Sequence, residues 1–147
     1  MNNVEKKLES LGLKLAAYKP PVANYAGCKQ VGKLLFVSGR VSEQTGAVGI
    51  DVTEEQAKIA ARDTVLVLLA IIKHHLKDLD LIKGIVKLNG FIRSDESFTR
   101  QPFVLDGASQ LLIALFGEEG HHARTATGVN QLPFGASVQL ELILEVK

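Results

Sequence analysis

Apolar and other residues alternate from Val138 to Val146. Val138, Leu140, Leu142, Leu144 and Val146 fall on one face, and Gln139, Glu141, Ile143 and Glu145 on the other. A period of two predicts a half-buried strand. Leu132-Pro133-Phe134-Gly135 breaks the pattern just before it, because proline cannot donate to a ladder and glycine accepts turn dihedrals. Upstream of the break, the segment from His121 predicts another strand. It opens with Arg124 among the small residues Ala123, Thr125, Ala126, Thr127 and Gly128.

The rest of the chain follows other periods. Val4, Leu8 and Leu11 recur at helical spacing among charged residues, so residues 1–12 read as a short amphipathic helix that ends at Gly12. Leu13 to Tyr18 reads as a short strand, and Pro20-Pro21 excludes a helix beyond it. Tyr25 to Val31 and Leu34 to Ser38 predict a hairpin around Gly32-Lys33. The run Leu34-Leu35-Phe36-Val37 does not alternate, so both its faces need cover. Gly39 to Gly49 reads as a loop.

Thr53-Glu54-Glu55-Gln56 has the form of a capping box. The helix it starts carries Ala57, Ala61, Val65, Leu68, Ile72 and Leu76 as a buried stripe and ends among Lys73, His74, His75 and Lys77, where positive charge suits the dipole. Ile82 to Arg93 reads as a strand, with Ile82, Val86, Leu88 and Ile92 on one face and Ile85 and Phe91 on the other. Phe98 to Phe116 is a second helical region, with Asp106 as an internal N-cap, closed by Gly117 and Gly120.

This order predicts an α+β fold: one mostly antiparallel sheet with two helices packed on one face. Two helices cover only one face, yet Leu34 to Val37, Ile85, Phe91 and Ile143 make part of the second apolar. The simplest cover for it is another copy of the chain in a closed oligomer.

At 147 residues the chain is sized for one domain, 1–147, without linker or repeat. A net charge of +1 sets up no global field for nucleic acid or an anionic membrane. The longest apolar run, Val65 to Ile72, is too short to span a bilayer, and MNNVEKKLES lacks the apolar core of a signal peptide. Cys28 is the only cysteine, which excludes an intrachain disulfide. The chain thus reads as a soluble cytoplasmic protein, with Cys28 a buried small hydrophobe. His121-His122 and His74-His75 complete no metal site at these spacings; His121 and His122 read as surface residues, and no metal or cofactor is expected.

Arg124 is the leading candidate for chemistry, because a guanidinium grips a carboxylate through two parallel hydrogen bonds. Tyr25 stands before the first hairpin strand. Ser38-Gly39 ends the second, where a hydroxyl and a backbone N–H can both face a ligand. Tyr25, LLFVSGR (34–40), the capped helix, ARTATGVNQLP (123–133) and VQLELI (138–143) together resemble the YjgF/RidA family, called the endoribonuclease L-PSP family in older descriptions. The resemblance covers nearly all of the chain from about residue 20. The segment FVLDGASQLLIALFGEEGHHARTATGV is similar to a longer-chain branch, distinct from the best-studied deaminase branch.

The resemblance implies a chorismate-mutase-like fold in a single RidA-like domain, assembled as a homotrimer with pockets between subunits. It also implies hydrolytic deamination of 2-imino and enamino acids to 2-keto acids and ammonia. By position, Arg124 matches the carboxylate clamp, Ser38 and Gly39 the serine and the following backbone donor, and Tyr25 the pocket tyrosine. Ala126 would hold water through its main-chain carbonyl.

Gln139 departs from the pattern, because the deaminase branch has a water-positioning glutamate at that place. A glutamine accepts a hydrogen bond but takes no proton at neutral pH. Glu141 lies on the same strand face, roughly 6.6 Å along. Asn24 and Arg40 also depart from that branch. Three readings stay open: the deaminase, a non-catalytic trimer that binds a small carboxylate (an imino or keto acid) as a sensor or regulator, and a ribonuclease. The near-zero net charge and the lack of a basic-aromatic patch count against the last.

Overall fold

The computed structural model describes residues 3–147. Its element order is α1 (Asn3–Ser10), β1 (Cys28–Val31), β2 (Leu34–Val41), α2 (Glu54–Leu76), β3 (Ile82–Arg93), α3 (Gln101–Phe116), β4 (Ala123–Val129) and β5 (Val138–Val146). The strands form one mixed sheet in the order β1-β2-β5-β3-β4. All pairings are antiparallel except β3 with β4. The two segments joined by Leu-Pro-Phe-Gly are therefore not hairpin partners. They lie on either side of β3, and β4 is left as an edge.

Local chemistry sets the helix ends. The Gln56 N–H donates to Thr53 Oγ1 at 3.1 Å, and the Thr53 N–H donates to Gln56 Oε1 at 2.9 Å. This is the capping box read in the sequence. The N–H groups of Asn3 and Val4 donate to the Asp80 carboxylate, which starts α1 from a distant loop. In α1, Val4 and Leu8 are buried but Leu11 is exposed, since the helix has already ended. Residues 13–18 form no strand. Leu13 and Leu15 pack against the core instead, and Lys14 to Ala16 line a groove with Ile59, Asp63 and Val67 of α2.

The core lies between the sheet and the pair α2 and α3. β5 buries Val138, Leu140, Leu142, Leu144 and Val146, as its alternation predicts. In β2, Leu35 and Val37 face the helices, while Leu34 and Phe36 stay exposed on the open face. β3 departs from simple alternation. Its pairing with β5 slips between Ile85 and Lys87, so Ile85 is buried and Val86 is exposed, the reverse of the period-two expectation. A bulge inserts one residue and shifts the parity of what precedes it. Helix α3 begins at Gln101 with Pro102 in its first turn, so Asp106 lies inside the helix and is not an N-cap.

α3 sits close to its neighbours. A Cβ on Gly107 would lie 2.0 Å from the Lys58 carbonyl oxygen of α2, and one on Gly90 of β3 would lie 2.4 Å from Leu105 Cδ1. No helix among the described residues is long and apolar enough to cross a membrane.

Two outcomes follow from this packing. Gly107→Ala forces α2 and α3 apart and costs about 3 kcal/mol; urea denaturation is expected to show a lower midpoint at unchanged slope. Burial pushes the Cys28 thiol up to about 11, against a smaller opposing pull from Arg40. At pH 8 iodoacetamide should then alkylate it slower than free cysteine by on the order of a hundredfold, with a rate still rising at pH 10.

Candidate functional site

Arg124 lies in β4 opposite Leu88 of β3. Residues paired across a sheet share a face, and Leu88 is fully buried against the helices. The Arg124 side chain therefore turns to the helix side of the sheet edge. There Nη1 donates to Asp106 Oδ1 at 2.8 Å and to Ser109 Oγ at 3.1 Å, and Nη2 donates to the Pro102 carbonyl at 3.1 Å. All three acceptors belong to α3. A guanidinium has five N–H donors, so two of Arg124's have no partner among the described residues. The side chain is 26% exposed. Asp106 already balances its charge, and the two free donors at the sheet edge can still hydrogen-bond one further carboxylate.

Behind it, Ser109 Oγ stands 2.9 Å from His122 Nε2, and His122 Nδ1 lies 2.6 Å from the Gly120 carbonyl oxygen. His122 is thus held in the fold and not a free surface residue. Sequence spacing does not bring Ser109 to His122; only the return of the chain along α3 does. Among the described residues, no group of three or more His, Cys, Asp or Glu side chains is placed to hold a metal ion.

The other candidates gather at β2 and β5. The pairing register jumps between Val37–Leu142 and Arg40–Leu140, so Ser38 and Gly39 together oppose Glu141 in a bulge. β2 runs through this bulge to Val41, further than the sequence pattern suggested. The Ser38 hydroxyl donates to the Ala26 carbonyl at 2.6 Å, and its N–H donates to the Gly27 carbonyl at 2.9 Å. Glu141 accepts from Asn89 Nδ2 at 3.1 Å. Ser38, Asn89 and Glu141, with Lys29, Phe36 and Ile143, line an open-face recess of about 250 Å³. Asn89 had no role in the sequence reading. Its signal was a polar residue on the same strand face as Phe91.

Gln139 lies beside Gly39, where an added Cβ would sit 3.1 Å from its Nε2. Tyr25 is 41% exposed, two residues before Gly27. Arg40 Nη2 donates to the Lys19 carbonyl at 2.9 Å. Ala126 packs its methyl against the core from the same side of β4 as Arg124.

The two groups do not meet in one chain. Glu141, Asn89 and Thr125 form one row across β5, β3 and β4 on the open face. Arg124 is next to Thr125 but on the opposite face, about 10 Å away across two strand spacings. Ser38 is one strand further.

This chain and its fold have counterparts among known proteins. Protein TCP17 of Trypanosoma cruzi is 41% identical over 150 residues, which cover 97% of this chain and 94% of that one. A crystal structure of the Agrobacterium tumefaciens protein Atu1372, of unknown function, is 39% identical with a TM-score of 0.91, covering 99% of this chain and 94% of that one. One from Shewanella oneidensis is 30% identical with a TM-score of 0.94, covering 99% of this chain and 100% of the other. Residues 5–146 match the family model described as YjgF/chorismate mutase-like, with an endoribonuclease label. The chain belongs to the YjgF/chorismate mutase-like family.

Proposed function

We propose that this protein is a hydrolytic deaminase of reactive 2-imino and enamino acids, and that it works in a pocket between two copies of the chain in a homotrimer. The observation that carries this reading is Arg124: fixed to α3 by three donors, it keeps two for a ligand at the β4 edge. One copy would supply Arg124 and the Ala126 carbonyl. Its neighbour would supply Tyr25, Ser38, Gly39, Gln139 and Glu141. The separation of the two groups within a single chain supports this division, as do the exposed Leu34, Phe36 and Val86 on the open sheet face.

The chemistry asks little of the protein. Arg124 holds the substrate carboxylate, and water attacks the electrophilic C2 beside it. An enamine first takes a proton at C3 to become the imine. A C–O bond forms as one water proton passes to nitrogen, and the second follows from the new hydroxyl as the C–N bond breaks, so ammonia leaves a 2-keto acid. Holding water and substrate together supplies much of the acceleration. Glu141 stands opposite the Ser38–Gly39 bulge as a proton acceptor, and Asn89 holds its carboxylate.

Gln139 favours a second reading, a trimer that binds a small carboxylate as a sensor or regulator without turnover, since an amide takes no proton.

A threonine dehydratase or an amino-acid oxidase can supply the imine. Native protein is expected to release keto acid faster than the spontaneous rate, and Arg124→Ala to lose more than about tenfold of that gain. Glu141→Ala should cost about a hundredfold if it is the proton acceptor. Gln139→Glu should then add little. No acceleration by native protein, with a large gain in Gln139→Glu, would mark a weakened or repurposed site and favour the second reading.

A further inference from the structure

The bonds behind Arg124 run in one direction. A carbonyl oxygen only accepts, so the contact between His122 Nδ1 and the Gly120 carbonyl places the proton of the neutral ring on Nδ1. Nε2 is then a lone pair, and the Ser109 hydroxyl donates to it across 2.9 Å. With its proton committed, Ser109 Oγ turns its own lone pairs towards Arg124, whose Nη1 donates to them. The order is Arg124 to Ser109 to His122 to Gly120.

The far end of this series is rigid. A Cβ on Gly120 would lie 2.5 Å from the Leu112 carbonyl oxygen, so the turn is pressed against the backbone of α3. Its carbonyl fixes the imidazole, the imidazole fixes the hydroxyl rotor, and the rotor decides where one Nη1 proton of Arg124 points. Asp106 takes the other Nη1 proton, and the Pro102 carbonyl takes one from Nη2. A planar group held at three points on one side has a set tilt, and its two remaining N–H donors share it.

We propose that His122 is a positioning residue. Through Ser109 it holds the Arg124 guanidinium at the angle that offers a two-pronged fork to a ligand carboxylate. The proposal rests on the reading of Arg124 as the carboxylate anchor. Without an acceptor at Nε2, the Ser109 hydroxyl is free to turn, and its proton competes with Arg124 for the neighbouring acceptors. The guanidinium can then swing about its bond to Asp106 and meet a carboxylate with one N–H instead of two.

The test is pyruvate binding by calorimetry to native protein and to Arg124→Ala, Ser109→Ala, His122→Leu and His122→Gln, with thermal midpoints in parallel. Leucine keeps the bulk and removes the acceptor. Glutamine sets an amide oxygen near the place of Nε2. Expected is a loss of about tenfold in affinity for His122→Leu and Ser109→Ala, with His122→Gln within about threefold of native. Arg124→Ala should bind no pyruvate. Equal losses in His122→Leu and His122→Gln would reduce His122 to packing and overturn the proposal. So would native affinity in His122→Leu beside a loss in Arg124→Ala, which leaves the anchor standing. Native affinity in Arg124→Ala would remove the anchor itself. If the leucine variant does not fold, the imidazole nitrogen shifts of native protein decide: a proton on Nε2 in place of Nδ1 overturns the bond order described above.

Discussion

The close approach of α3 to everything around it is the constraint on which the structure depends. Gly107 lets its backbone meet that of α2, and Gly90 lets Leu105 settle onto β3. At its far end Gly120 turns under the Leu112 carbonyl, and Gly128 of β4 leaves room for the Gln101 side chain. A side chain at Gly107 or Gly120 would meet backbone and push the helix outward, while one at Gly90 or Gly128 would displace the Leu105 or Gln101 side chain. The consequence reaches the candidate site, because Pro102, Asp106 and Ser109 are the groups of α3 that hold Arg124. Packing and chemistry are thus one problem here: a helix displaced by a methyl group would carry the three acceptors with it.

The same arrangement divides the site. β4 is an edge strand paired only with β3, and Arg124 hangs over that edge on the helix side. The Ser38–Gly39 bulge and Glu141 lie on the open face, separated from it by intervening strands. A chain built this way keeps the two groups of candidate residues apart. The open face keeps Leu34, Phe36 and Val86 exposed, and Phe134 stands out at 78% exposure beside the β4–β5 turn. In the proposed reading, a second copy of the chain covers that face and completes the site.

The electrostatics are local. Arg124 is matched by Asp106, and Glu141 is held by a neutral amide, Asn89. Near-zero net charge means that no long-range field draws a ligand in. In the proposed pocket, recognition of an anion falls to the two unspent donors of a single guanidinium, so its orientation matters.

Much of the fold was legible in the chain. The Thr53–Gln56 box, the stripe of α2, the alternation of β5 and the Gly32-Lys33 hairpin depend on neighbours a few residues apart, and local periodicity reports those directly. Arg124 was singled out by its small neighbours and the resemblance they carry, and the structure ties it to three acceptors of α3. Three things were not legible. The Ile85–Val86 bulge reverses a face through one extra residue, which period counting cannot see. Asp106 has the look of an N-cap, but a strand arriving from elsewhere claims its carboxylate. His122 looks like a surface histidine until α3 brings Ser109 to it. Periodicity tells which residues of one element share a face; which elements become neighbours, and so which polar groups meet, is decided only when the sheet order and the seat of α3 are set.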